Sequence, residues 1–149
     1  FAPLLNITRD RFGQYPLHHV ACLGLYDLVQ LFLCHSANPN LVDFDLWTPL
    51  HRAYRGAHYR TGALLIEHNA SVTVQNSSLY TPLHYVCRNR TTENDAQVEA
   101  VHLLLEKNAD INAVGKSEEQ PIFTALKARA TVELLQTLLD NKANVNSTW

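Results

Sequence analysis

Thr48-Pro49-Leu50-His51-Arg52-Ala53 is preceded by Tyr15-Pro16-Leu17-His18-His19-Val20-Ala21 and followed by Thr81-Pro82-Leu83-His84-Tyr85-Val86. Each Pro-Leu-His stands 33 residues from the last. A fixed period of that length marks a repeat architecture, in which each unit leaves an apolar face for its neighbour to cover. Proline at a first helical position has φ already set and forfeits no helix hydrogen bond, while the hydroxyl of Thr48 or Thr81 before it is placed to cap free amides. The motif therefore starts a helix at Pro16, Pro49 and Pro82. Leucine-rich stretches such as Leu64-Leu65-Ile66 and Leu103-Leu104-Leu105 supply a second helix in each unit.

The Thr-Pro-Leu-His-x-Ala pattern at this spacing resembles the ankyrin-repeat family, and the resemblance covers nearly the whole chain. It implies an all-α solenoid of stacked helix-turn-helix units with β-hairpin fingers, in a single domain over 1–149. Residues 1–9 read as the tail of a preceding repeat, 10–42 as repeat 1, 43–75 as repeat 2, 76–114 as repeat 3 and 115–149 as repeat 4. Repeat 3 carries about six extra residues within 88–97, a polar stretch expected at the surface in a longer loop or a longer second helix. In repeat 4 Phe123 replaces the histidine. Gly62 inside the second helix of repeat 2 costs about 1 kcal/mol against alanine and predicts a local soft spot. With no polar capping repeat at either end, the array is expected to be a piece of a longer one.

The resemblance gives His18, His51 and His84 a structural task, tying neighbouring turns together. Cys22 and Cys87 lie one helical turn from His18 and His84, a spacing compatible with a Cys/His dyad. Those histidines already fill the structural slot, however, and no zinc-type spacing is present. No nucleotide, phosphate, hydrolase or metalloprotease motif occurs, so neither an enzyme nor a cofactor is expected. Asn112, in Leu104-x5-Asp110-Ile111-Asn112, resembles the hairpin context in which ankyrin asparagines are hydroxylated, although each of these residues is also plain consensus.

Function is expected in protein recognition. With 46% apolar residues over 149 positions the chain can bury a continuous core, and a net charge of −2 disfavours nucleic acid as partner. No apolar run is long enough to span a membrane. Three cysteines without a CxxC pair fit a reducing compartment, cytoplasmic or nuclear, and the Asn-x-Ser/Thr triplets at Asn6, Asn69, Asn76, Asn89 and Asn146 are read as chance in an Asn-rich chain. A monomer is the expected state.

Family register places the ligand groove along the fingers and the exposed side of each first helix. The helix positions are His19, Cys22, Leu23, Arg52, Arg55, Tyr85, Arg88, Thr124 and Lys127. Phe12, Phe44, Trp47, Arg52, Arg55, Tyr80, Tyr85 and Arg88 form the candidate binding set, because clustered aromatic and arginine side chains typify hot spots. Leu46 and Leu79 stand where the family has glycine and add apolar bulk. A peptide or protein with acidic and apolar anchors would match such a surface. Two roles fit: an interaction module in a larger adaptor, scaffold or signalling protein, or an NF-κB-inhibitor-like protein that sequesters a transcription factor. Phe44, Asp45 and Trp47 also have the composition of a methyl-lysine cage, but alternate residues on one finger tend to point apart.

Overall fold

The computed structural model describes residues 2–90 and 94–146. A short helix α1 (Ala2–Leu5) precedes four helix pairs: α2 (Pro16–Cys22) with α3 (Tyr26–Cys34), α4 (Pro49–Arg55) with α5 (Tyr59–Glu67), α6 (Pro82–Arg88) with α7 (Asn94–Glu106), and α8 (Pro121–Lys127) with α9 (Val132–Asp140). The first helices stack side by side in the order α2, α4, α6, α8, and the second helices α3, α5, α7, α9 form the layer behind them. Leu17, Leu50, Leu83 and Ile122 repeat one buried position down the first layer, while Val29, Leu65, Leu104 and Leu138 fill the second. Small Ala21, Ala53 and Ala125 let the layers approach.

Fingers link the pairs. Among the described residues they hold no β-strand; each is a tight turn whose ends are joined by a backbone bond, Asp10 N to Gln14 O, Asp43 N to Trp47 O, Asn76 N to Tyr80 O and Gly115 N to Glu119 O. A side chain at the finger base completes the turn. The Oδ1 of Asp10, Asp43 or Asn76 accepts two backbone N–H bonds, from Phe12 and Gln14, Asp45 and Trp47, or Ser78 and Tyr80. Asn76 is thus buried and engaged. Adjacent fingers join through Phe44 N to Phe12 O, Ser77 N to Asp45 O and Lys116 N to Ser78 O.

The extra residues of repeat 3 lengthen its second helix: α7 has 13 residues where α3, α5 and α9 have 9. Positions 91–93 of this insertion, and Trp149, lie outside the described residues. The stretch is not wholly a surface feature. Gln97 is buried, and its amide donates to Val86 O (2.6 Å) and Asn89 O (3.0 Å), tying α7 to the carbonyls at the end of α6.

Gly62 needs a different account from the one propensity gives. The Tyr54 ring lies where a Cβ on Gly62 would be, so the glycine makes room for the largest of the fully buried side chains. Its cost in helix propensity is offset by that packing.

Asparagines bridge the repeat tails. Asn6 donates to Ser36 O and accepts from Asn38 N; Asn40 does the same with Asn69 O and Ser71 N; Asn112 with Lys142 O and Asn144 N. Thr73 holds this position in repeat 2, and among the described residues no such bridge spans repeats 2 and 3. Thr73→Asn should restore it and raise unfolding free energy by about 1 kcal/mol. Chemical denaturation of the two proteins checks this, and no gain would mean that the tails of repeats 2 and 3 are out of register for the bridge.

Candidate functional site

The groove is built from the fingers and the first-helix layer, held in register by the motif histidines. Each ring works in one tautomer. The Nδ1 of His18, His51 and His84 accepts the backbone N–H of Tyr15, Thr48 and Thr81 at 3.1–3.2 Å. An acceptor there leaves the proton on Nε2, which donates to the next finger: to Trp47 O (2.8 Å), Tyr80 O (3.0 Å) and Glu119 O (3.0 Å). Burial holds all three rings below the ordinary histidine pKa, His51 to about 4. Pro16, Pro49 and Pro82 open the helices that carry them. The Thr48 and Thr81 hydroxyls pair with His51 Nδ1 (2.8 Å) and His84 Nδ1 (3.0 Å), and Thr48 Oγ1 also accepts from His51 N at 3.3 Å.

A second device recurs nine residues on from each finger base. Asp10 meets His19 (3.2 Å), buried Asp43 meets Arg52, and Asn76 Nδ2 donates to the Tyr85 hydroxyl (2.8 Å). Two candidate groove residues thereby change character. Arg52 is spent on Asp43 and lies against the Trp47 ring (4.5 Å to the centroid). Tyr85, only 5% exposed, is interior: it tilts against Trp47 at 4.7 Å and meets His51 and Tyr80 edge-on. Burial raises its pKa. Trp47 and Tyr80, both half-buried, are part of the same ring stack between fingers. Trp47 turns to Tyr85 while Phe44 lies on Gly13, so the two rings serve different neighbours and do not close a cage.

The outward surface is carried by other members. Phe12 and Phe44 are exposed at their finger tips, with Arg11 and Arg9 over their rings at 4.8 and 5.3 Å. Leu46 and Leu79, about half exposed, have φ of 59° and 61° in the left-handed region, which disfavours a side chain. Gly13 occupies the equivalent place in finger 1 with φ 78°. Arg55, Arg88 and Lys127 are exposed at the ends of α4, α6 and α8.

Between repeats 3 and 4 lies a depression of about 380 Å³ lined by Tyr80, Tyr85, Arg88, Glu119, Thr124 and Lys127. Glu119, which the sequence did not single out, accepts from the Tyr80 hydroxyl (2.9 Å) and pairs with Lys127 (3.3 Å). Among the described residues no group of three or more His, Cys, Asp or Glu side chains gathers as a metal site. Cys22 and Cys34 are exposed free thiols; Cys87 is buried, which pushes its pKa up and keeps it protonated. Asn112 is half-buried in its tail bridge.

The stacked helix pairs and their linked fingers define a repeat scaffold. The family profile described as ankyrin repeats (3 copies) matches residues 3–76 and 63–148, so the chain belongs to the ankyrin-repeat family. It is similar to the B-cell lymphoma 3 protein homolog of Mus musculus, 32% identical over 141 residues, covering 94% of this chain and 31% of that protein. A shorter likeness, 43% over 51 residues, joins it to the putative E3 ubiquitin-protein ligase XBAT35 of Arabidopsis thaliana, covering 32% of this chain and 11% of that protein. The chain thus spans about a third or less of either relative. Ankyrin repeats are in general non-catalytic modules that bind proteins, and among the described residues no helix is long and apolar enough to cross a membrane.

Proposed function

We propose that this chain is a monomeric, non-catalytic interaction module of a larger adaptor, scaffold or signalling protein, and that it binds a protein segment across its finger tips and groove in the cytosol or nucleus. One observation carries the reading. Leu46 and Leu79 hold apolar side chains half in water on a backbone that glycine would adopt without strain, and strain kept at an exposed position is a mark of a binding surface. Phe12 and Phe44 extend that apolar strip to the first finger.

A second reading is favoured by the likeness to the mouse B-cell lymphoma 3 homolog over nearly the whole chain: a role in the manner of the NF-κB inhibitors, holding a transcription factor.

The double variant Leu46→Gly/Leu79→Gly separates binding from folding. Relief of two left-handed residues, about 1–2 kcal/mol each, offsets the lost partial burial and the added chain entropy, so stability should stay within about 1 kcal/mol of the parent. Affinity capture from cell extract should then recover proteins on the parent that the variant loses. Equal recovery on both would reject the finger-tip surface, and recovery of a transcription factor would favour the second reading.

A further inference from the structure

We propose that Arg55, Arg88 and Lys127 form a cation row that seats a carboxylate from every third residue of an extended acidic peptide segment. This rests on the groove reading above and gives its ligand a chemistry and a spacing.

The three residues occupy one position in successive repeats, the last residue of α4, α6 and α8. Those helices pack as direct neighbours. Arg88 and Lys127 line one depression, and Arg55 stands at the same position of the adjoining helix. Among the described residues neither Arg55 nor Arg88 has an acidic partner, whereas Arg52, one turn earlier, is neutralised by buried Asp43. A helix C-terminus favours a cation locally, but its half charge does not cancel a guanidinium. The row therefore presents net positive charge on a chain whose total is −2.

Spacing selects the ligand's shape. Packed helix axes lie about 8–10 Å apart, which sets the step between cations. A polyproline-II segment returns to the same face every three residues, about 9 Å on, and charged unfolded chains readily adopt that form. A β-strand returns every two residues, about 7 Å on, and falls out of step. Nucleic acid fits less well, because Tyr85 is buried and Trp47 tilts against it with the Arg52 and Arg55 guanidiniums over its ring, so neither offers a free face to a base. Glu119 is the acidic group inside the row; it shares Lys127 and so competes with an incoming carboxylate.

Fluorescence anisotropy of the whole chain at low salt tests this with dye-labelled synthetic peptides on an Ala/Pro background. Glutamate at every third position should bind tightest, ahead of peptides of equal charge with glutamate at every second or every seventh position. Arg88→Gln should weaken it about fivefold. Glu119→Gln keeps an acceptor for Tyr80 and should strengthen binding, a gain that a damaged fold would not produce. Equal or tighter binding of a differently spaced peptide, or of a single-stranded oligonucleotide, would overturn the proposal. So would the absence of binding by every peptide; the groove reading would survive that result if Leu46→Gly/Leu79→Gly still lost its captured proteins.

Discussion

Lowering the pH from 7 to 5 is expected to remove a few kcal/mol of stability while most carboxylates are still ionised. The cause is the shared tautomer of His18, His51 and His84, whose Nδ1 must remain an acceptor for a backbone N–H. Protonation would set two donors against each other in a buried site. The unfolded chain titrates near 6.5 and folded His51 near 4, so between those values the unfolded state binds protons first. The stabilisation is complete above about pH 6.5 and is lost as the pH falls toward 4. His51 alone contributes about 3 kcal/mol over that window, and His18 and His84 shift in the same direction. Urea unfolding at a series of pH values reads the slope directly. His51→Gln lowers the baseline but should flatten the slope, and stability unchanged from pH 7 to 5 in the parent would show that the rings are not neutral ties.

The second large effect has a sign opposite to helix propensity. Gly62→Ala should gain about 1 kcal/mol if only the α5 backbone mattered. The structure instead predicts a loss of about 1–3 kcal/mol, because the new methyl meets the Tyr54 ring and that ring, fully buried and packed beside Tyr59, has no room to retreat. A double-mutant cycle isolates the contact: in a Tyr54→Leu background the alanine should cost little or become favourable. A stabilised Gly62→Ala single variant would refute the packing account.

Residues that act locally were legible from the chain. Pro-Leu-His at a fixed interval announced the starts of α2, α4 and α6 and the stacking, because proline's effect on φ and the covering of apolar faces are properties of short segments. Gly62 was misleading, since the reason for it, Tyr54, belongs to another helix. Arg52 and Tyr85 were assigned to the groove by family register and residue type, and their burial depends on partners nine residues back at the finger base. A signal for that existed: Asp10 with His19, Asp43 with Arg52 and Asn76 with Tyr85 fall in the same two columns when the repeats are aligned. Glu119 was hidden because the fourth finger breaks the column, with Gly115 where the others have Asp or Asn.

The histidine bonds also give the array a direction in time. His18, His51 and His84 each donate forward, to a carbonyl that lies 29, 29 and 35 residues later in the chain. As the polypeptide leaves the ribosome, every repeat up to the third waits for its successor before its buried ring is satisfied, so the emerging chain carries one unfinished unit at its growing end. Phe123, at the same position in the fourth repeat, has no such donor to place and releases that unit from the wait.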